Sequence, residues 1–191
     1  MNNSYLDVDE KVLVVIGPSG SGKTTLVQCL SDQKLLEITP SWTTRPPRTD
    51  EMNAHEHKFV SQQEFAKLQK EGFFLETARL FGLPYTYGLP RITHNNKAAV
   101  PAIMLRSMVL GSLGHHYKSP IIYQIESHRS ITEIRLQLRG GNSLDFEKRM
   151  QSYVHEIADG RQRAHRIFKN TDSFEQLLES VQKALRMDFK N

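Results

Sequence analysis

Gly17-Pro18-Ser19-Gly20-Ser21-Gly22-Lys23-Thr24 is the stretch on which the reading of this chain turns. The octet fits the phosphate-loop pattern G-x-x-x-x-G-K-[ST] and follows an apolar run, Val12-Leu13-Val14-Val15-Ile16, that predicts a buried strand. Glycines let such a loop take positive φ, so that successive backbone N–H groups turn inward toward an anion, and the helix starting near Lys23 adds its positive end. The pattern assigns Gly17, Ser19, Gly20, Ser21, Gly22, Lys23, Thr24 and Thr25 to a nucleoside triphosphate, with Lys23 on its terminal phosphates and the Thr24 hydroxyl on Mg²⁺. A bland strand-to-helix turn would not require Lys-Thr directly after the third glycine. The motif leaves open whether phosphate is hydrolysed, transferred or sensed.

With 191 residues, 38% hydrophobic and 24% charged, the chain has the composition of one globular α/β unit with its own core. No apolar run approaches the ~20 residues that span a bilayer, and residues 1–10 carry Asp7, Asp9 and Glu10 without a basic segment, so a cytoplasmic location away from membranes is expected. The single cysteine, Cys29, excludes an internal disulfide and lies within a helical pattern as a packed thiol. A net charge of +4 suits a polyphosphate ligand. Basic residues are not interleaved with aromatics, and Arg139-Gly140-Gly141 is too short for an RNA-binding repeat, so no nucleic-acid partner is expected. Neither histidine pair, His55/His57 or His115/His116, is backed by cysteines or an H-E-x-x-H pattern, which argues against a metal there.

Along the chain, a first helix fades near residues 31–32 and a second strand is expected at 35–38. Residues 39–51 carry Pro40, Pro46 and Pro47 and are expected to form a loop bearing Arg45 and Arg48. A strand at 57–60, a helix opened by Ser61 and Glu64 and stopped by Gly72, a strand at 73–77 and an extended segment at 83–89 follow. Tyr85 and Tyr87, two apart, then share a face. Strands at 98–104 and 120–125, joined through a helical stretch around Met108, fit parallel βαβ logic. Helices at 130–139 and 144–160, a strand at 165–169 and a helix at 172–187 complete the pattern. The fold expected is a three-layer α/β phosphate-loop core with a parallel sheet, residues 11–38 and 98–191, interrupted by a small acceptor-binding insertion at about 39–90 and carrying a helical lid at about 135–150.

Transfer of phosphate to an already phosphorylated acceptor sets anion against anion. Unit charges ~4 Å apart repel by ~4 kcal/mol at an effective dielectric near ~20, so several cations must converge besides Lys23 and Mg²⁺. Two arginine sets are available: Arg45 and Arg48 in the proline-stiffened loop, and Arg135, Arg139 and Arg149 flanking a glycine-bearing loop. At this point the chain resembles guanylate kinases. The likeness runs through the phosphate loop, Thr43-Thr44-Arg45-Pro46-Pro47-Arg48 with Glu51, Phe59-Val60-Ser61, Glu71-Gly72-Phe73-Phe74-Leu75-Glu76, the Tyr85 region, Arg135 to Gly140, Lys148-Arg149 and Asn170-Thr171-Asp172. The T-T-R-x-P-R block is its most specific part. The resemblance implies that Arg45, Arg48 and Tyr85 bind an acceptor phosphate and that Ser41 and Glu76 read guanine. It also implies that Arg135, Arg139 and Arg149 act on the transferred group and that Asn170 lies at the adenine side. Glu76 suits its part, because one carboxylate can accept from guanine N1–H and the 2-amino group together. ATP with Mg²⁺ and a nucleoside monophosphate, GMP or dGMP, are the substrates implied, for a monomer or homodimer.

Three departures stand out. His57 takes the place of a second phosphate-binding tyrosine, and the hairpin reads Tyr85-Thr86-Tyr87-Gly88, so Tyr87 enters the acceptor set where a small guanine-facing hydroxyl is usual. Trp42 stands where a smaller residue is usual beside Ser41. The D-x-D that ends the middle strand in the family is missing, since residues 100–106 contain no acid; Glu126, after the next strand, is a candidate substitute. Two alternatives follow: a kinase of another phosphorylated small molecule, of the ribose 1,5-bisphosphate type, or a guanylate kinase-like binding module with little or no activity.

Overall fold

Five consecutive apolar residues, Val12–Ile16, have no polar side to offer solvent, and they form a central strand buried along its whole length. The computed structural model describes residues 5–47, 56–80, 82–138 and 143–189. Its elements in chain order are β1 (Val12–Ile16), α1 (Lys23–Asp32), β2 (Leu36–Ile38), β3 (Ser41–Thr43), β4 (His57–Phe59), α2 (Gln62–Lys70), β5 (Phe74–Arg79) and β6 (Thr86–Pro90). Then come β7 (Val100–Met104), a 3-10 turn (Ser107–Val109) running into α3 (Leu110–Leu113), β8 (Pro120–Glu126), α4 (Arg129–Leu138), α5 (Ser143–Arg163), β9 (Arg166–Lys169) and α6 (Phe174–Asp188).

The large sheet has the order β2-β7-β1-β8-β9, and every pair in it is parallel. Parallel pairing requires crossovers, and these supply helices to both faces. On one face Leu26, Val27 and Leu30 of α1 and Leu177, Val181 and Leu185 of α6 pack on Leu13, Val15, Tyr123 and Ile125. On the other, Leu110, Leu113 and Tyr117 pack on Val12, Val14, Ile16 and Ile103. Each fully buried aliphatic side chain contributes about 1.5–3 kcal/mol, so the alternating faces of β1 anchor both layers. The start of α6 is set by a capping box: the Ser173 hydroxyl accepts from Gln176 N at 3.2 Å and the Gln176 side chain accepts from Ser173 N at 3.4 Å.

A second sheet of order β4-β3-β6-β5 is built from residues between β2 and β7. The loop expected over 39–51 is corrected here, because Ser41-Trp42-Thr43 pairs in parallel with Lys58 and its neighbours and antiparallel with Gly88 and Tyr87. Pro40 lies just outside this strand, where its missing N–H costs no ladder bond. Two faces result. Trp42, Phe73, Phe74 and Phe65 pack together on one, with the Phe65 and Phe74 rings stacked at 4.6 Å. The other carries Ser41 and His57, which are register partners, together with Tyr87, Leu89 and Glu76. Phe74 and Glu76 are two apart and would share a face in a regular strand, but a bulge between them sends them to opposite sides. Trp42 therefore packs away from Ser41's face and does not crowd it.

Two outcomes test this architecture. A Cβ on Gly88 would lie 2.6–2.9 Å from three atoms of the Phe74 ring, which is itself wedged by Trp42, Phe65 and Phe73. Gly88→Ala is expected to lower unfolding stability by about 1–3 kcal/mol, with partial recovery in the Gly88→Ala/Phe74→Leu double variant. At the end of α6, Asp188 accepts from Arg166 Nε and Nη2 at 2.7 and 2.6 Å and from the Tyr123 hydroxyl at 2.7 Å. Arg166 holds this carboxyl below the usual carboxylate range. A lowered folded pKa means that the contribution is complete above the unfolded value, ~3.9, and is lost as pH falls through the folded one. Asp188→Asn should therefore cost about 1–3 kcal/mol at neutral pH, and thermal melts should show the gap closing below pH ~4.

Candidate functional site

The loop after β1 is pressed against the end of β8. Gly17 has φ 137°, and a Cβ there would lie 2.2 Å from the Ile125 carbonyl oxygen, so no side chain fits. Gly22, at φ 97°, stands before α1, and a Cβ on it would meet the Asn170 amide nitrogen at 2.2 Å. Asn170 Nδ2 donates to the Ser21 carbonyl at 2.9 Å, so this side chain, expected at an adenine site, braces the loop. The Lys23 ammonium folds back over the loop and donates to the carbonyls of Gly17 at 2.6 Å and Pro18 at 2.9 Å. Thr25 is exposed in the first turn of α1.

Two of the three arginines expected in a lid meet this loop. Arg135, from α4, donates to the Gly20 carbonyl at 3.1 Å, and Arg149, from α5, donates to the Ser19 hydroxyl at 2.9 Å. Arg139 and Arg48 lie outside the described residues. A further cation, Arg106, escaped the sequence reading. It follows β7, its Nη1 is held by both oxygens of Glu156 at 2.7 Å, and its Nη2 donates to the same Ser19 hydroxyl. The signal is in the chain itself: residues 100–106 contain no acid, and the charge that follows the strand is positive. Glu126, the candidate substitute acid, is buried with both oxygens accepting from Arg161, at 2.7 and 2.6 Å, and Oε1 also accepting from Gln124 at 2.7 Å. Its carboxylate is taken up in tying β8 to α5.

Thr24 instead meets another acid. Its hydroxyl donates to Glu56 Oε2 at 2.7 Å, where Glu56 directly precedes β4. Among the described residues no group of three or more His, Cys, Asp or Glu side chains could hold a metal ion by itself. A magnesium ion that arrives on a nucleotide needs only one or two protein oxygens besides phosphates and water, and a threonine hydroxyl beside a carboxylate fits that demand.

Of the acceptor candidates, Ser41, His57, Tyr87 and Glu76 share one side of the second sheet. The Ser41 hydroxyl lies 2.6 Å from His57 Nδ1, and the His57 ring meets Tyr87 edge-on at 6.1 Å. Arg45 is buried: its backbone N donates to the Thr43 hydroxyl at 3.1 Å, its Nη1 to the Pro46 carbonyl at 3.0 Å, and its guanidinium lies 5.2 Å from the Phe59 ring centroid. Glu76 Oε1 is 3.4 Å from Nε2 of His116, a residue that follows α3 and thereby links the two sheets. Tyr85 is half-buried immediately before β6.

Known proteins resemble this chain over most of its length. The family profile described as guanylate kinase matches residues 9–188. A guanylate kinase of Chlamydia felis is 31% identical over 154 residues, covering 78% of this chain and 74% of its own length. One from Wolbachia pipientis is 32% identical over 154 residues, covering 77% and 76%. A crystal structure of guanylate kinase from Anaplasma phagocytophilum superposes with a TM-score of 0.71 at 20% identity, over 100% of this chain and 90% of that one. No helix among the described residues is long and apolar enough to cross a membrane. A loop shaped for phosphate, cations drawn to it from three separate elements and a profile match over nearly the whole chain agree: the chain belongs to the guanylate kinase family and is a nucleoside monophosphate kinase.

Proposed function

We propose that this protein transfers the γ-phosphoryl group of ATP to GMP or dGMP. The observation that carries the reading is the shared face of the second sheet, where Ser41, His57, Tyr87 and Glu76 align. A hydroxyl, an imidazole, a phenol and a carboxylate together can hold a purine edge and a phosphate at once. Arg45, buried and backed by Phe59, adds the positive charge that an acceptor phosphate needs, and Arg48 and Tyr85 belong to the same acceptor set. Glu76 accepts from guanine N1–H and the 2-amino group, a donor pair adenine does not offer.

The donor side follows from the loop. Its backbone N–H groups hold the ATP phosphates, and Lys23 leaves the carbonyls of Gly17 and Pro18 for the more strongly accepting phosphate oxygens. Arg135 and Arg149, with Arg139, spread over the γ-phosphoryl oxygens as charge redistributes toward the acceptor. Thr24 would help hold Mg²⁺ through its hydroxyl oxygen, and the ion would supply positive charge to the phosphates. Asn170 serves the nucleotide by holding the Ser21 carbonyl, so that the adjoining N–H groups keep their aim. The division into core, acceptor-binding insertion and lid is part of this reading.

A coupled ADP-release assay over GMP, dGMP, AMP, UMP, CMP and phosphorylated sugars, ribose 1,5-bisphosphate among them, is expected to show turnover with the guanine nucleotides. Turnover only with the sugar phosphate would move the substrate class, and release with none would leave a binding module. Lys23→Ala should lower kcat/KM about 10²–10³-fold, the cost of losing one preorganised donor. Arg45→Ala should raise the acceptor KM about 10–100-fold, as expected for a charged hydrogen bond, while leaving the KM for ATP near its original value. An equal rise in both constants would contradict the acceptor assignment of Arg45.

A further inference from the structure

We infer that Glu56, carried to the phosphate loop by the second sheet, is the carboxylate that orients Thr24 toward the divalent cation of the nucleotide. The inference rests on the ATP-dependent reading above. A threonine that ligates a metal uses an oxygen lone pair, so its proton must go to another acceptor. A carboxylate serves best, since it can also accept from water on the metal. In phosphate-loop nucleoside triphosphatases this acid belongs to a core strand beside the loop. Here Leu105 and Arg106 follow β7 instead, and the Arg106 guanidinium projects to Ser19, placing positive charge beside the loop.

Among the described residues, two acids on the large sheet's side, Glu156 and Glu126, are committed elsewhere. Glu156 accepts from Arg106 and from the Ser152 hydroxyl, and Glu126 accepts from Arg161 and Gln124. Glu56 is the acid that the Thr24 hydroxyl does meet, at 2.7 Å. Its backbone is held as well: the Glu56 carbonyl accepts from Ser41 N at 3.1 Å, and the next residue, His57, is the register partner of Ser41. The acid that positions the metal ligand is thus joined directly to the Ser41–His57 pair of the acceptor face. That continuity gives the two sites a route by which binding at one should favour binding at the other, and such linkage of binding free energies is reciprocal.

The test is calorimetric titration of the full-length chain with a non-hydrolysable β,γ-imido analogue of ATP, with Mn²⁺ as the probe metal and again with EDTA. Wild type is expected to bind the analogue more tightly with Mn²⁺. Glu56→Gln should lose about 10–100-fold of that metal-dependent gain, the range for removing an outer partner of a metal ligand, while analogue affinity in EDTA stays unchanged. Glu56→Asp should recover part of the gain, and GMP added with the analogue should strengthen the Mn²⁺ effect in wild type but not in Glu56→Gln. If Glu56→Gln keeps the full Mn²⁺ gain, or weakens binding equally in Mn²⁺ and EDTA, Glu56 does not orient the ligand and the inference falls while the kinase reading stands. If wild type fails to bind the analogue under either condition, the kinase reading itself falls.

Discussion

At Gly17 the main chain runs so close to the Ile125 carbonyl that even a single carbon has no room, and the site is built outward from that contact. The contact follows from the sheet. β1 and β8 run in register up to Ile16 and Gln124, so the chain leaving β1 must turn directly over the end of its neighbour. Because the loop is seated on β8, the helix that follows β8 starts beside it, and Arg135 reaches the Gly20 carbonyl from there. The β7 end, on the other side of β1, delivers Arg106. The loop is thus encircled by whatever the two flanking strands lead into.

What they lead into is mostly positive charge. Lys23, Arg106, Arg135 and Arg149 all donate to groups of the loop, two of them to the single hydroxyl of Ser19. Glu156 offsets one of these charges by binding Arg106 from α5. Cationic donors converging on one loop give it a positive field, which favours an anionic ligand.

The large sheet was legible because its signals are strong: β1 is apolar throughout, and the phosphate loop has a fixed length. The helix beginning at Lys23 and the stop at Gly72, where φ is 69°, followed from local backbone chemistry. β3 was hidden because three residues behind a proline carry almost no periodicity, and only their partners in β4 and β6 make them a strand. The same holds for the site. Ser41, His57 and Tyr87 were named from the chain, but their convergence depends on strand register, which pattern alone does not reveal. Arg106 and Glu56 were missed for a related reason: each matters through a partner far away in sequence, Glu156 and Thr24 respectively.

The bulge between Phe74 and Glu76 makes the length of β5 an informational element in its own right. A strand without it would direct the aromatic anchor and the carboxylate to the same side, either withdrawing Glu76 from the acceptor face or pulling Phe74 out of its aromatic nest. Insertion or deletion of one residue at this point would therefore exchange packing for recognition, although each side chain kept its identity. Length variation among relatives should be tolerated in the turn between β5 and β6 and excluded from the few residues around Leu75.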